Sequence, residues 1–329
     1  MDWKTLNPGT FAQVINDDGR QIAKDDKYMN AVQEIWQSAQ PHTVPTEISS
    51  FVYQGEEEAG DERTQLYGHV ARRKLVSKEG KSRSIPGVLL FHTGAGAQDV
   101  FLFQRAALIL QSIDCVVFIC DILSDEQGWG WGSNRSRYVA EKDALMEENA
   151  KLLQSRVAAA VKSLCKIGSL YGGDDIQVDP KRIAALGWCF GGHPIFELGM
   201  TSPGLASSIP DLDVKAMVTF HGVFGRDWST YVPPKECAPN TKTDSTSKPK
   251  MLIFNGALDP FVAQKDLDEV NTYLSRNNIE VQVHQLEGAK HGFSNSAQSF
   301  NENPAFEYNE KGANESWEAT IAMLKGTLA

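Results

Sequence analysis

The chain has 329 residues, with 32 Lys plus Arg against 42 Asp plus Glu, a net charge of −10. That acidic balance disfavours a phosphate-backbone partner, which needs a concentrated basic surface, and 41% hydrophobic with 22% charged residues is ordinary globular composition. No run approaches the ~18 apolar residues of a spanning helix. The opening "MDWKTLNPGTFAQ" lacks a signal-peptide core, so the expectation is a cytoplasmic protein with no membrane and no nucleic-acid partner.

In chain order, residues 1–45 read as an N-terminal extension, with a helical pattern around "DDKYMNAVQEIWQSAQ" broken by "PHTVPTE". Two β-rich segments follow, "EISSFVYQ" and "QLYGHVARRKL", joined across the acidic "GEEEAGDER" as a hairpin. The basic run Ala71 to Arg83 reads as a strand end and a solvated turn. Short apolar runs then alternate with helical stretches. The runs are "GVLLFH", "CVVFICD", "RIAALGW", "KAMVTFH", "MLIFNG" and "VQVHQL". The helical stretches are "DVFLFQRAALILQS", "RYVAEKDALMEENAKLLQSRVAAAVKSL", "HPIFELGM", "FVAQKDLDEVNTYLSRN" and "NESWEATIAMLKGTL". This rhythm predicts an α/β fold over 46–329, a mostly parallel sheet covered by helices on both faces, with chemistry at the carboxyl ends of the strands. "YVPPKECAPNTKTDSTSKPK" reads as a surface loop.

The five cysteines, Cys115, Cys120, Cys165, Cys189 and Cys237, are odd in number and show no CxxC pair or Cys/His ligand spacing. Neither a disulfide framework nor a metal site is expected. Cys115, Cys120 and Cys165 read as small core residues. Cys189 is different. In "LGWCFGGH" it lies at a strand-to-helix turn with Gly187 and Gly191 two residues to either side, the G-x-S-x-G elbow pattern with sulfur in place of oxygen. The glycines leave room where a side chain would meet backbone, and a helix N-terminus favours the thiolate.

One such turn is also compatible with a packed core cysteine, so the partner residues decide. A nucleophilic thiol needs a base, and the base an orienting acid. "ALDPFV" puts Asp259 just past the strand "MLIFNG", and "EGAKHGF" puts His291 just past "VQVHQL", in the order nucleophile, acid, base. Asp121, before the nucleophile, reads as structural or pocket-lining. His92 and His221 end strands and read as pocket wall, His284 as a half-buried strand residue, and His193 as helix packing. The same topology assigns the oxyanion hole to the backbone N–H of Phe190 and, from "HTGAGAQD", of Gly94. That loop has neither G-x-G-x-x-G spacing nor a GK[ST] ending, which argues against a phosphate cradle.

With these residues in view, the chain resembles the dienelactone hydrolase family of α/β-hydrolases. "GWCFGG" is similar to its cysteine elbow, "NGALDPFV" to its aspartate loop and "GAKHGFSN" to its histidine loop. "AFEYNEKGANESWEATIAML" is similar to its tail, in which a tyrosine segment leads into a tryptophan-bearing final helix. The resemblance spans about residues 46 to 329. It implies a nucleophile at Cys189, an acid at Asp259, a base at His291, and hydrolysis of small-molecule esters or lactones through a thioester, with no cofactor and no metal. Two positions depart from the family pattern. Thr93 stands where a glutamate is usual, and Asn295 where an arginine holds a substrate carboxylate, which shifts the expected substrate from a carboxylate-bearing lactone to neutral esters or lactones. Arg135 and Arg137 are alternative carboxylate partners. A binding protein on a hydrolase scaffold that has lost turnover is the competing expectation. The sequence carries no signal for oligomeric state.

Overall fold

The computed structural model describes residues 44, 46–55, 64–73, 83–97, 99–124, 135–170, 176–234, 248–301 and 303–329. The helical pattern in the extension, the acidic hairpin loop, most of the basic turn, most of the Pro- and Lys-rich loop and Cys237 lie outside the described residues, as do the side chains of Arg135 and Arg137.

Eight strands form one sheet: β1 (Thr46–Gln54), β2 (Gln65–Arg73), β3 (Arg83–Phe91), β4 (Val116–Cys120), β5 (Ile176–Trp188), β6 (Val214–Phe220), β7 (Lys250–Gly256) and β8 (Glu280–Leu286). Their order across the sheet is β1-β2-β4-β3-β5-β6-β7-β8. β1 pairs antiparallel with β2, and β2 with β4. The other neighbours are parallel. This is the mostly parallel sheet predicted from the alternating pattern, in the α/β-hydrolase arrangement that the resemblance implied, with an antiparallel N-terminal pair.

The helices are α1 (Val100–Ser112), α2 (Arg135–Leu170), α3 (Gly192–Leu205), α4 (Gln264–Arg276) and α5 (Glu310–Leu328). The central strand β3 shows why its neighbours need cover on both sides. Leu89 and Phe91 enter one core with Leu153, Phe196 and Val270 of α2, α3 and α4. Val88 and Leu90 enter the other with Leu102 and Leu110 of α1 and Leu324 of α5. Successive strand residues face opposite ways, so a fully covered strand must be apolar throughout.

Two elements differ from the pattern reading. The long helical stretch is interrupted: Glu148, Asn149 and Ala150 take φ of 47°, 63° and 61°. There the Asn149 amide donates to Val232 O at 2.5 Å and accepts from its N–H at 3.1 Å. β8 is not a buried run but the sheet edge, with Val283 36% exposed.

The turn after β5 is held by close backbone contact. Cys189 has φ of 52°, the left-handed region that a side chain rarely takes. A Cβ on Gly187 would lie 2.3 Å from Gly191 O, and one on Gly191 2.6 Å from Phe91 O. Gly187→Ala is therefore expected to lower stability by about 1–3 kcal/mol, as overpacking does. A Cβ on Gly326 in α5 meets nothing within 4 Å, so Gly326→Ala should be neutral or stabilising by about 0.5–1 kcal/mol. Urea unfolding of both variants checks this, and equal midpoints for Gly187→Ala and the parent would contradict it.

Candidate active site

The residues singled out in the sequence lie at the carboxyl ends of parallel strands. Gly94 follows β3, Cys189 follows β5, His221 follows β6, Asp259 follows β7 and His291 follows β8. In the β7–β8 loops, Asp259 N–H donates to Gly256 O at 3.0 Å, closing a tight turn that leaves the carboxylate buried. Its Oδ1 accepts from Phe261 N–H at 2.8 Å and its Oδ2 from His291 Nδ1–H at 2.7 Å. Both oxygens are thus engaged, and the histidine tautomer is set by the carboxylate, leaving Nε2 for the sulfur. The backbone of His291 is pinned by its N–H to Ala305 O and by Glu307 N–H to its own carbonyl, each at 3.2 Å.

His291 and the backbone N–H groups of Phe190 and Gly94 lie close enough to Cys189 to act on its thiol. Burial works against its thiolate, but the His291 charge and hydrogen bonding from these three groups outweigh it and hold the thiol below its ordinary pKa. Burial likewise opposes the His291 imidazolium, and Cys189 and Asp259 overcome it, raising the pKa of that imidazole. Each shift is in the direction of the charged form of its group. The other described cysteines go the opposite way: burial pushes Cys115 and Cys120 up, and Cys165 to about 11.

His92 lies behind the site with both ring nitrogens committed. Nδ1–H donates to Thr93 O at 2.6 Å and Nε2 accepts from Ile122 N–H at 3.0 Å. Burial lowers its pKa to about 4, so the 3.9 Å approach to Asp121 is no ion pair at neutral pH. Thr93 C=O and Gly94 N–H belong to one peptide, so the His92 contact fixes the plane that aims Gly94 N–H at the sulfur. The Thr93 hydroxyl accepts from Ala95 N–H at 3.0 Å, steadying the same loop. Asp121 braces a strand end through the N–H groups of Tyr67, Leu123 and Ser124.

Asn295, expected in the pocket, is turned into a local cap, its Oδ1 accepting from Ala297 N–H at 3.0 Å. His221 is nearer the chemistry than a pocket wall. Its ring centroid is 4.6 Å from that of His291, and Cys189, His221 and His291 each offer a donor atom within 4.8 Å of the others. Burial and the neighbouring His291 push His221 well below the ordinary imidazole value. His193 packs its ring 5.8 Å from Phe190, and His284 stacks on Phe254 at 5.0 Å.

Three aromatic residues that the sequence reading did not single out also reach the site. Phe261 and Phe306 set their edges against His291 at 5.0 and 5.2 Å. Tyr138 would lie 3.0 Å from a Cβ on Gly94. Phe261 and Phe306 were visible only as members of quoted motifs. The tail tryptophan acts at one remove. Trp317 lies under the Arg105 guanidinium at 4.7 Å, and Arg105 donates to Ser294 O at 2.6 Å, steadying the histidine loop.

Comparison with known proteins identifies the fold and the family. Among solved structures, the chain superposes on m3DLH with a TM-score of 0.64 at 20% identity, covering 86% of this chain and 99% of that one. A dienelactone hydrolase-like promiscuous phosphotriesterase from metagenomic libraries gives 0.62 at 21% identity over the same shares. A curated Synechocystis sp. protein, provisionally named a carboxymethylenebutenolidase, is 25% identical over 183 residues, 56% of this chain and 66% of that protein, just short of two thirds of its length. The structural likenesses carry the fold. Residues 74–328 match the dienelactone hydrolase family, and the chain belongs to that family.

Proposed function

We propose that residues 46–329 form a single α/β-hydrolase unit that hydrolyses carboxylic esters or lactones through a thioester on Cys189, and that residues 1–45 are an extension to it. The observation that carries this reading is the line from Asp259 through His291 to a sulfur that also receives two backbone N–H groups. In the first half-reaction the thiolate attacks the carbonyl carbon, and the oxyanion that forms is held by Phe190 and Gly94 N–H. Collapse breaks the carbon–oxygen bond, and His291 gives its Nε2 proton to the departing alkoxide. In the second, His291 takes a proton from water, hydroxide adds to the thioester, and collapse of that intermediate breaks the carbon–sulfur bond, restoring the Cys189 thiolate and releasing the acid product. Asp259 holds the ring and stabilises its charged form throughout.

The substrate reading follows from what surrounds the sulfur. Phe261 and Phe306 offer apolar edges beside His291, and the Asn295 amide is spent on its own loop. Neutral esters or lactones suit such a site better than carboxylate-bearing ones, which call for a guanidinium fork. Among the described residues no helix is long and apolar enough to cross a membrane. A small-molecule substrate in the cytoplasm is the setting this reading assumes.

Cys189→Ala is expected to abolish hydrolysis of an activated aryl ester, and His291→Ala or Asp259→Asn to lower kcat by roughly 1,000- to 10,000-fold. Near-parental turnover by purified Cys189→Ala would overturn the assignment. A parent that turns over no activated ester would instead favour the competing scaffold-only reading.

Iodoacetamide should alkylate Cys189 ahead of Cys115, Cys120 and Cys165 at neutral pH, because its thiol is held low while theirs are held high. The rate should stay flat through the neutral range and fall only as pH drops through the lowered thiol pKa. A Cys189 that reacts only above about pH 8.5, the free-thiol range, would contradict the ion pair.

A further inference from the structure

We propose that Cys189, His291 and His221 form a three-ligand Zn2+ site, so that the metal binds reversibly where the substrate carbonyl would sit. Their donor atoms lie within 4.8 Å of one another. Zinc bound to one sulfur at ~2.3 Å and two nitrogens at ~2.05 Å sets tetrahedral edges of roughly 3.3–3.6 Å. Closing on the metal therefore needs each donor to move by about 1 Å or less, within reach of small ring and thiol rotations.

The reaction sequence above makes no use of His221, yet the fold commits to it. It sits in the left-handed region at φ of 41° directly after β6, buried and edge-on to His291. Its Nε2 has one long contact, 3.4 Å to Ser294 Oγ, and its Nδ1 makes no hydrogen bond to another residue among those described. A ring nitrogen is thus available for a metal, and the Ser294 hydroxyl can steady the ring if Nδ1 is the ligand. His291 already has the support that metal-bound imidazoles usually have, a carboxylate on the far nitrogen from Asp259 at 2.7 Å.

Charge and softness point the same way. One thiolate and the Asp259 carboxylate balance the two positive charges of the ion inside a buried site. A thiolate with two imidazoles selects Zn2+ over the hard cations Mg2+ and Ca2+. Three protein ligands leave the fourth position open to water, so the site blocks the sulfur without a permanent seal. The consequence for catalysis, inhibition that chelation reverses, rests on the hydrolase reading. The binding itself does not.

The test titrates Zn2+ alone against a chromophoric chelator, using the purified chain and its variants. One equivalent per chain is expected in the parent. Asp259→Asn should weaken it by about 10- to 100-fold as a supporting partner, and Cys189→Ala and His291→Ala by at least as much. His221→Asn keeps a residue that tolerates positive φ and should lose affinity to a similar extent. Affinity unchanged in Cys189→Ala, or unchanged in His221→Asn, would overturn the three-ligand site. Should His221→Asn not fold, Co2+ added to the parent decides: a sulfur-to-cobalt charge-transfer band with tetrahedral d–d absorption is expected, and an octahedral spectrum without that band refutes the proposal. A chain that gives the cobalt band but never hydrolyses an ester would refute the hydrolase reading and leave this one standing.

Discussion

The geometry depends on one unfavourable backbone conformation. Cys189 sits at φ of 52°, a state that costs a non-glycine residue of order 1–3 kcal/mol and persists only where surrounding structure enforces it. Here the enforcement is visible. Gly187 and Gly191 pack backbone to backbone, and Cys189 C=O accepts from Val223 N–H at 2.8 Å. The turn ties β5 to the chain that follows β6 and α3 to the end of β3. It leaves the sulfur beside Gly94 from the loop after β3 and His291 from the loop after β8.

Burying a thiolate is unfavourable, and each layer of the site answers that cost. His291 supplies the counter-charge, Asp259 fixes which of its nitrogens bears it, and Phe261 N–H fills the other carboxylate oxygen. On the opposite side the answer is a dipole. Gly94 N–H can reach the sulfur only while its peptide keeps one orientation, and Thr93 C=O on the same peptide is held by His92 Nδ1–H and by Gly96 N–H at 3.2 Å. Ile122 N–H occupies the other His92 nitrogen, so the donor cannot change sides. Turning that peptide over would break two hydrogen bonds in a buried setting, each expensive to leave unmade. A donor that needs no reorganisation is what an oxyanion hole requires.

Much of this was legible in the sequence because the signals were local or topological. The apolar runs marked the six parallel strands from β3 to β8, and with them the places of Cys189, Asp259 and His291 just past β5, β7 and β8. Signals that depend on register or on a side chain's private partner were not legible. His221 looked like one strand-end histidine among several, and only the pairing of β6 between β5 and β7 sets it beside both the sulfur and His291. Asn295 stood where a substrate contact was expected, but an Asx turn two residues long claimed its side chain first. The break at Glu148 to Ala150 coincides with the contact of Asn149 with Val232, 83 residues away, a partner that no local pattern reveals.

The central claim is that Cys189 becomes acylated. Mixing the purified chain with an activated ester, quenching in acid within the first turnover and mapping peptides by mass spectrometry tests it most directly. An acyl increment is expected on the peptide carrying Cys189, labile to hydroxylamine as a thioester is. A chain that turns the ester over while Cys189 stays unmodified at every quench time, or that carries the acyl group on another residue, would contradict it.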